Sequence, residues 1–583
     1  MRLRRAVSQS SDRRSRIGRW QGAPAGASAP RTPRWVAVRA SSIARLLVDR
    51  ADDDGRGICS VDGGTWTWAQ VVSESAARAA VFDHLGVAGQ HVGVLLDNVP
   101  EYVFLLGGAA LSGSVVVGIN PTRRGDELAR DVRHTDCSLV LTDTAHAPLL
   151  DGLDLGAEVV LVDDDAWTAQ VAAHRGAALP ASLPDPGSLY LLLFTSGSTG
   201  APKAVRMTQG RAARTAADSA VAFDESSVLY CSMPLFHGNA LLANLFPGLV
   251  AGSTVVLRPK FSASAFLDDV RRFGCTYFNY VGRALSYVLA QPETPHDADN
   301  ALQYCLGSEA SPRDRREFRR RFGCYVVEGY SSSEGGVVIQ PVPGMPPEAL
   351  GRPKEGVDVA VVDPETGVEC PRARFDEERT LLNPTEAIGE IVSRDGVGSF
   401  EGYYANPEAT EERARGGWYW TGDLGYRDDD GTFYFAGRTA DWLRVDGENF
   451  AAGPVERVLG RFPGVAAVVV YGVPDPRTGD QVMAALELDA GVAFDADAFA
   501  AFLDQQPDLG TKWAPRFVRV VEAIPLTATG KVDRKPLRAE RWHTADPVWF
   551  RPDATLAYRR LTDDDVADLV QSFADAGRAG MLA

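Results

Sequence analysis

The sequence predicts an α/β fold in which a large α/β domain is followed by a small α+β domain. Two patterns predict this division. Before about Asp423, short apolar runs rich in β-branched residues alternate with helical stretches, and strands that are apolar on both faces belong to a sheet covered on both sides. After it, Asp-Gly turns separate short strands that alternate with helices, which is typical of a small α+β module.

The individual elements follow from the same patterns. Six apolar runs predict buried strands of the large domain: 92–96, 114–119, 138–142, 158–162, 189–194 and 254–257. Two uncharged stretches, 102–122 and 226–257, are broken by glycine, asparagine and proline, so each predicts a buried helix leading into a buried strand and not a membrane span. The arginine-rich segment 311–323 predicts a surface helix with a solvated basic face. The small domain is predicted to have strands at 465–471, 481–488 and 517–521 and a helix at 496–504.

Charge excludes one class of function. The chain has 583 residues and a net charge of −17, yet residues 1–39 contain ten arginines and one acid, which leaves −26 for the remainder. An acidic body argues against non-specific nucleic-acid binding, which needs a basic face. The basic segment lacks the apolar core of a secretory signal, and we expect it to be either a disordered extension or the product of a start codon assigned too early.

The seven cysteines predict neither a metal site nor a redox site. No two of them lie closer than 19 residues, and the sequence contains no CxxC motif. They are therefore expected to be reduced thiols in or near the core, and the expected location is cytoplasmic.

A polar loop follows the predicted strand at 189–194. It consists of Thr195, Ser196, Gly197, Ser198, Thr199 and Gly200, with Lys203 shortly after. Such a loop offers unhindered backbone N–H groups, hydroxyls and one cation, which suit triphosphate oxygens. The Walker pattern is absent, and a nucleophile elbow does not fit. Taken alone, a loop of this composition is more often a flexible turn, and it is the segments that follow which favour phosphate binding.

Two further segments carry residues suited to a nucleotide. In 328–334, Tyr330 precedes Glu334 by four residues, which suits a base-stacking ring and a magnesium ligand. In 418–423, Asp423 directly follows a glycine and could accept hydrogen bonds from both hydroxyls of a ribose. The simpler alternatives are a core aromatic for Tyr330 and a turn acid for Asp423.

The last two segments lie in the C-terminal part of the chain. The segment 437–449 joins the two sequence textures, and Lys531 follows a glycine near the end of the small module. A surface charge is the simpler alternative for Lys531.

In this order and spacing, the five segments together resemble the adenylate-forming superfamily of acyl-CoA synthetases, luciferases and peptide-synthetase adenylation domains. The resemblance covers about residues 42–545. It implies a large N-terminal multi-sheet α/β domain and a small mobile C-terminal α+β domain, with ATP between them. We therefore expect residues 1–41 to be the basic extension, 42–437 the ATP- and acid-binding domain, 438–545 the mobile domain and 546–583 a tail.

The resemblance implies four catalytic residues. Lys531 is expected to stabilise attack of the substrate carboxylate on the α-phosphate, and Glu334 is expected to hold Mg²⁺. Thr195 belongs to the loop expected to wrap the β- and γ-phosphates. His237 matches a position that lines the carboxylate pocket in relatives, although a buried structural histidine is the alternative.

The resemblance also implies an ATP/AMP-binding set. Tyr330 and the turn at 307–309 are expected to flank the adenine, and Asp423 with Arg438 is expected to bind the ribose. The full set is Thr195, Ser196, Gly197, Ser198, Thr199, Gly200, Lys203, Gly307, Ser308, Glu309, Tyr330, Ser331, Ser332, Ser333, Asp423, Arg438 and Lys531.

One position departs from the family pattern. The hinge of the mobile domain, usually Asp or Lys, is Ala440 here. A hinge only needs to absorb a φ/ψ change, which alanine permits, but the departure makes thioester formation less certain than adenylation. Gly447 is expected at the CoA site.

Several segments resemble the very-long-chain acyl-CoA synthetase and fatty-acid-transport group. They are 277–287, the arginine-rich helix at 311–323, 444–450, and two parts of the tail. The resemblance implies an ATP-dependent acyl-CoA synthetase that uses ATP, Mg²⁺ and CoA on a long-chain or sterol-type carboxylic acid. A peripheral membrane contact and a homodimer stay open.

Three rival functions remain. The adenylate could pass to an amine or a carrier protein, or the activated acid could be aromatic, amino or inorganic, such as nitrite. A non-catalytic acyl- or nucleotide-binding relative is disfavoured because Lys531, Glu334 and Asp423 are all present. A membrane transporter is disfavoured by the broken apolar stretches.

Overall fold

A computed structural model describes residues 41–195, 203–310, 312–342, 344–346, 348–377, 379, 381–438, 442–445, 448–476, 479–510, 512–527, 530–553 and 555–582. Within these residues the strands form five sheets. Three sheets are built from residues up to 438 and two from the residues that follow. The predicted order of a large α/β part and a small α+β part is confirmed.

The first sheet is mostly parallel. Its strands are β3 (His91–Leu95), β4 (Val115–Gly118), β5 (Cys137–Thr142), β6 (Glu158–Leu161), β7 (Leu189–Thr195) and β8 (Lys203–Thr208). They are arranged in the order β6-β5-β3-β4-β7-β8, and only β7 and β8 pair antiparallel. The β7–β8 hairpin therefore carries the predicted phosphate loop at its tip.

The second sheet has seven strands and is also mostly parallel. Its strands are β1 (Arg56–Ser60), β2 (Thr65–Thr67), β9 (Val228–Cys231), β10 (Thr254–Leu257), β11 (Tyr277–Val281), β12 (Tyr304–Ser308) and β13 (Tyr325–Glu328). The order is β13-β12-β11-β9-β10-β1-β2. Because β11, β12 and β13 are parallel neighbours, their carboxyl ends meet at one edge.

The third sheet is antiparallel. Its strands are β14 (Ile339–Gln340), β15 (Ala349–Pro353), β16 (Val359–Val362), β17 (Gly389–Ser393), β18 (Tyr419–Arg427) and β19 (Phe433–Arg438). The order is β14-β15-β19-β18-β17-β16. In its register Asp423 of β18 pairs with Arg438 of β19, which places this acid and this arginine side by side.

The C-terminal part contains a two-stranded sheet and a five-stranded sheet. The first consists of β20 (Trp442–Val445) and β21 (Glu448–Ala451), and the second of β22 (Val465–Pro474), β23 (Asp480–Leu488), β24 (Phe517–Val521), β25 (Val548–Phe550) and β26 (Arg559–Arg560). The strands β25 and β26 come from the segment 546–583. This segment, expected to be a tail, thus continues the C-terminal sheet.

The described residues also form α-helices. They are α1 (Ile43–Val48), α2 (Trp68–His84), α3 (Pro100–Ser112), α4 (Gly125–His134), α5 (Asp165–Ala173), α6 (Gln209–Ala220), α7 (Gly238–Ala240), α8 (Phe246–Ala251), α9 (Phe266–Phe273), α10 (Ala284–Leu289), α11 (Pro312–Phe322), α12 (Pro384–Ala387), α13 (Pro407–Arg413), α14 (Ala452–Leu459), α15 (Ala496–Asp504), α16 (Arg534–Glu540) and α17 (Asp563–Asp575). A π-helix, Leu241–Leu245, joins α7 to α8. The long helix α2 begins with a reciprocal capping box between Thr67 and Gln70, and α3 ends at Gly113 in the left-handed conformation.

One apolar core holds the two parallel sheets together. Side chains of β3 and β7 share it with side chains of β10 and with the buried faces of α1, α2, α3, α6 and α8. Val281 of β11 belongs to the same core as Leu191 and Leu193 of β7, so this packing fixes the two sheets that carry the candidate site relative to each other.

Two predictions about elements were wrong and one was incomplete. The run at 158–162 was predicted to be buried, but β6 is an edge strand with exposed and partly exposed side chains. The stretch 226–257 contains the predicted buried helix leading into a buried strand, α8 into β10, but it begins with the strand β9, which was not predicted, because a short apolar run does not distinguish a strand from a helix. The arginines of α11 do not all face solvent: Arg321 is buried and forms an ion pair with Asp297.

Candidate active site

The carboxyl edge of the seven-stranded sheet brings together the residues predicted to surround the adenine. Gly307 and Ser308 end β12, and the Gly329 N–H donates to the Gly307 carbonyl over 3.1 Å, which ties the turn after β13 to β12. A Cβ on Gly307 would lie 2.5 Å from the ring of Tyr280, so only glycine fits there. The turns that carry Glu309 and Tyr330 are therefore held next to each other.

Lys531 reaches this turn from the C-terminal part of the chain. Its Nζ atom lies 3.2 Å from Oε1 of Glu309, whose backbone is left-handed with φ 71°. The preceding residue, Gly530, is packed against the large domain: a Cβ on Gly282 would lie 1.9 Å from the Gly530 carbonyl oxygen. The structure thus places Lys531 at the carboxyl edge of the second sheet.

Asp423, Tyr330 and Arg438 form one polar group. The Tyr330 hydroxyl donates to Oδ2 of Asp423 over 2.7 Å, and Arg438 Nε lies 3.7 Å from Oδ1. Burial raises the pKa of Asp423, while the charge of Arg438 and the hydrogen bond from Tyr330 oppose that rise. The two residues predicted for ribose and the one predicted for adenine are therefore in contact.

Glu334 is buried, with 8% of its surface exposed, and it accepts a hydrogen bond from the Tyr403 hydroxyl over 2.9 Å. Among the described residues, no cluster of three or more His, Cys, Asp or Glu side chains could hold a metal ion. Magnesium commonly uses one or two protein carboxylates together with phosphate oxygens and water. A single buried carboxylate such as Glu334 fits that requirement.

The base of the predicted phosphate loop is ordered by the β7–β8 hairpin. Thr195 pairs with Lys203 in the register, and the Thr195 hydroxyl donates to the Lys203 carbonyl over 3.4 Å. Lys203 is buried; its Nζ atom lies 3.6 Å from Glu412 and 5.8 Å from the centre of the Tyr403 ring. Tyr403 therefore links the loop cation to Glu334.

His237 is the N-cap residue of α7. Its Nδ1 accepts the Asn239 N–H over 3.2 Å, and burial together with the nearby charge of Lys531 lowers the pKa of His237 to about 4. The ring is therefore neutral at pH 7, with its proton on Nε2. The next residue, Gly238, abuts Ser333, whose Oγ would lie 2.8 Å from a Cβ there.

One face of β12 and the π-helix both carry partly exposed side chains, most of them apolar. On β12 they are Tyr304, Leu306 and Ser308, whereas Cys305 and Gly307 are buried. Leu242 and Ala243 of the π-helix are also partly exposed, and the carbonyl of Ala243 accepts from the hydroxyl of Tyr277, the neighbour of Tyr304 in the sheet. The π-helix therefore packs against the sheet next to β12.

Some predicted residues lie outside the described part of the chain. They are Ser196, Gly197, Ser198, Thr199 and Gly200 of the phosphate loop, Ala440 of the hinge and Gly447 of the CoA site. Ser331 and Ser332 are described and exposed at the start of the turn that ends at Glu334.

Sequence reasoning missed several residues of the site. Tyr403 bonds Glu334, and Arg211 donates to the Ser333 carbonyl. Arg283 forms a two-hydrogen-bond ion pair with Glu487 across the two parts of the chain, at 2.5 and 2.6 Å. The glycine and tyrosine residues around Tyr403 could have marked that segment as part of a site, whereas an isolated arginine or glutamate gives no such indication in a sequence.

Comparisons with known proteins agree with this geometry. A sequence model of the AMP-binding enzyme family matches residues 39–404, and a model of the AMP-binding enzyme C-terminal domain matches residues 454–531. The chain is 52% identical to a steroid-22-oyl-CoA synthetase of Rhodococcus jostii over 93% of this chain and 99% of that one. It is 46% identical to a medium/long-chain-fatty-acid–CoA ligase of Mycobacterium tuberculosis over 87% and 98% of the two chains.

Solved structures show the same fold. ATP-bound MatB from Rhodopseudomonas palustris superposes with a TM-score of 0.74 at 25% identity, over 86% of this chain and 98% of that one. The amide bond synthetase McbA from Marinactinospora thermotolerans gives 0.71 at 26% identity, over 87% and 100%. Across the described residues, no helix has the length and apolarity needed to cross a membrane. The chain therefore belongs to the AMP-binding enzyme family, among its acyl-CoA synthetases.

Proposed function

We propose that the protein uses ATP and Mg²⁺ to adenylate a sterol side-chain or long-chain carboxylic acid and then transfers the acyl group to CoA. The single observation that carries this proposal is the position of Lys531. Its Nζ atom lies 3.2 Å from Oε1 of Glu309, in the turn predicted to flank the adenine, and it is close enough to His237 to lower the pKa of that imidazole. These two contacts support placing Lys531 where the acid meets the nucleotide.

The chemistry requires activation of the acid. A carboxylate is a poor electrophile, and direct attack by a thiol would have to expel oxide. In the first step a carboxylate oxygen bonds to the α-phosphorus, and the bond to the pyrophosphate oxygen breaks. In the second step the CoA sulfur, having lost its proton, bonds to the acyl carbon and AMP leaves. Negative charge concentrates at the α-phosphate in the first transition state, so a positioned cation accelerates it.

The remaining residues supply binding and orientation. Thr195 and Lys203 lie at the base of the loop proposed for the β- and γ-phosphates, and Asp423 with Arg438 is proposed for the ribose. Glu334 is the carboxylate that would hold Mg²⁺, which when bound neutralises phosphate charge. Ionic contacts of this kind are local, so a strongly acidic body does not prevent the binding of anionic ATP and CoA.

The proposed acid class rests on partly exposed apolar side chains and on the relatives. Leu306, Leu242 and Ala243 are apolar and keep some exposed surface, which favours an acid with a large hydrocarbon part. The relative from Rhodococcus jostii is a steroid-22-oyl-CoA synthetase, and those from Mycobacterium are fatty-acid ligases. A sterol side-chain acid and a long-chain fatty acid are therefore the first two to test.

Pyrophosphate release tests the proposal. The full chain is incubated with ATP, Mg²⁺ and each of a C22 steroid acid, a C16 fatty acid, benzoate, an amino acid and nitrite, with CoA or with an amine. We expect release with the first two acids and acyl-CoA by mass spectrometry only when CoA is present. Release with an acid but with product only on the amine would overturn CoA as the acceptor, and no release with any acid would overturn the enzymatic assignment.

Lys531→Ala is the matched test of the central residue. We expect pyrophosphate release to fall by a factor of at least about 10³, as for removal of a group aimed at developing charge. Lys535→Ala, a charge change four residues along the chain, is the control and should retain activity. Near-normal release by Lys531→Ala would refute the role given to Lys531.

A further inference from the structure

Three asparagine side chains form a hydrogen-bonded chain between α7, the π-helix and β11. Asn244 Nδ2 donates to Oδ1 of Asn279 over 2.7 Å, and Asn279 Nδ2 donates to Oδ1 of Asn239 over 2.7 Å. Asn279 and Asn244 have no exposed surface, whereas Asn239 is partly exposed. We call Asn239, Asn279 and Asn244 the amide relay.

The direction of the relay is fixed by the backbone. Asn244 Nδ2 also donates to the carbonyl of Tyr230 over 3.0 Å, and a carbonyl can only accept. The nitrogen of Asn244 must therefore face Tyr230 and Asn279. Each following amide is then forced into the same orientation, so the relay presents its N–H₂ end, the Nδ2 of Asn239, at the partly exposed end.

This orientation leaves one buried polar atom of Asn244 unsatisfied within the described part of the chain. With both protons of its nitrogen in use, Asn244 leaves its own Oδ1 buried and without a hydrogen-bond partner among the described residues. An unsatisfied buried polar atom is unfavourable, and in a native structure it calls for a reason. A fixed donor at the other end of the relay supplies one.

The donor end lies beside the predicted carboxylate position. Asn239 is two residues from His237 and donates its backbone N–H to the imidazole, which leaves the Nε2 proton of that ring as a second donor. Asn279 is the register partner of Leu306, so the relay lies on the same face of the sheet as the partly exposed side chains of Tyr304, Leu306 and Ser308. The positive charge of Lys531 also acts on His237.

We propose that Asn239 binds the carboxylate of the acid through its Nδ2 protons, and that Asn279 and Asn244 are positioning residues that hold this amide in its donating orientation. The inference rests on the proposed function, because it assigns how the acid is oriented for attack on the α-phosphate. The ligand group is a carboxylate, which every substrate of the reaction carries, and not a feature of the hydrocarbon part.

Acid affinity is the primary readout. For Asn239→Ala we expect the KM for the acid to rise about 10- to 100-fold, the usual worth of a hydrogen bond to a charged group, while the KM for ATP stays within about twofold. The inhibition constant of the corresponding primary alcohol, which has the same hydrocarbon part but no carboxylate, should not change. If the alcohol and the acid weaken equally, Asn239 only packs against the hydrocarbon and the proposal is wrong.

A double-mutant cycle tests the relay. Asn279→Leu should also raise the KM for the acid, because Asn239 loses the donor that orients it. The double variant Asn239→Ala/Asn279→Leu should be no worse than Asn239→Ala alone, since Asn279 acts only through Asn239. Additive effects would overturn the positioning role of Asn279.

A matched control separates this role from general destabilisation. Asn383 is a buried asparagine that bonds the backbone of Arg372 and Arg374, away from the relay. Asn383→Ala should lower the unfolding midpoint without changing the KM for the acid. If it reproduces the relay pattern, loss of stability explains the effect. Absence of pyrophosphate release by the unmodified protein would instead refute the proposed function, so the two failures are distinguishable.

Discussion

Gly282 offers the sharpest test of how Lys531 is positioned. Gly282 has φ 62°, and a Cβ there would lie 1.9 Å from the carbonyl oxygen of Gly530, the residue before Lys531. A carbon and an oxygen in contact need about 3.3 Å, so Gly282→Ala must displace the Gly530–Lys531 backbone by roughly 1.4 Å. A displacement of about 1 Å at a reacting group costs around 100-fold in rate. We therefore expect pyrophosphate release to fall about 100-fold.

The chain contains a matched control for this substitution. Gly274 has φ 66°, but a Cβ there meets no atom within 4 Å. Alanine at either position bears the same left-handed backbone strain of about 1–2 kcal/mol. Gly274→Ala should therefore lose only this free energy of unfolding in urea and keep adenylation, whereas Gly282→Ala, which adds the clash, should lose at least as much stability and also lose adenylation.

The assay is ATP–pyrophosphate exchange at saturating acid and ATP, with urea denaturation measured in parallel. Equal loss of activity in Gly282→Ala and Gly274→Ala would refute the reasoning, because strain alone would then account for both. Retention of full activity by Gly282→Ala would show that adenylation does not need the Gly530–Lys531 backbone where the structure places it.

Three further predictions follow from the electrostatics of the site. Arg283→Ala should slow pyrophosphate release about 10- to 100-fold, because Glu487 loses a partner worth about 1.5–3 kcal/mol. Glu487 also accepts the Ile524 N–H, at the start of the segment leading to Lys531. The charge-swapped double variant Arg283→Glu/Glu487→Arg should recover part of the rate, and no loss of rate in Arg283→Ala would contradict this link. Asp423→Asn should raise the free energy of unfolding at pH 7 by about 1 kcal/mol, because the pKa of Asp423 is raised and its ionisation therefore costs stability as the pH rises through that pKa. The same variant should raise the KM for ATP at least about tenfold, because it removes the charged group proposed for the ribose. A variant with a lower free energy of unfolding would contradict the prediction. His237→Gln should reduce the stability that the protein loses as the pH falls from 6.5 to about 4. The pKa of His237 is about 4 in the folded state and near 6.5 in the unfolded state, so protonation in acid favours the unfolded state by up to about 3 kcal/mol. Urea midpoints that fall equally in the variant and in the unmodified protein would contradict the prediction.

Features set by local sequence could be predicted well. The helix at 496–504 coincides with α15 and the strand at 517–521 with β24, because an apolar period and its flanking turn residues lie within the segment itself. The phosphate loop, the turn at Tyr330 and the Gly-Lys pair at 530–531 were likewise visible as short motifs. The approach of Lys531 to the carboxyl edge of the second sheet was implied by the family resemblance and not by the motifs alone.

Features that depend on distant pairing could not be predicted. Nothing near Arg283 signals that it meets Glu487, 204 positions away, and nothing near Arg321 signals burial against Asp297. The amide relay joins Asn239, Asn244 and Asn279 only because the π-helix is packed over β11. Such contacts are set by the register of strands and the packing of helices, which one sequence does not encode in any local pattern.

The ion pairs of the site bear on how a molecule with a large net negative charge can bind an anion. Each cation proposed for the nucleotide already has a carboxylate partner: Lys531 has Glu309, Arg438 has Asp423 and Lys203 has Glu412. In all three pairs at least one side chain keeps more than a third of its surface exposed, so each pair is worth only about 0–1 kcal/mol. An arriving phosphate, with more charge and more acceptor oxygens than one carboxylate, can therefore displace the partner at little cost. The acidic side chains around the site thus hold the cations in position without competing strongly for them, which is how a body with a large negative charge can bind a polyanion.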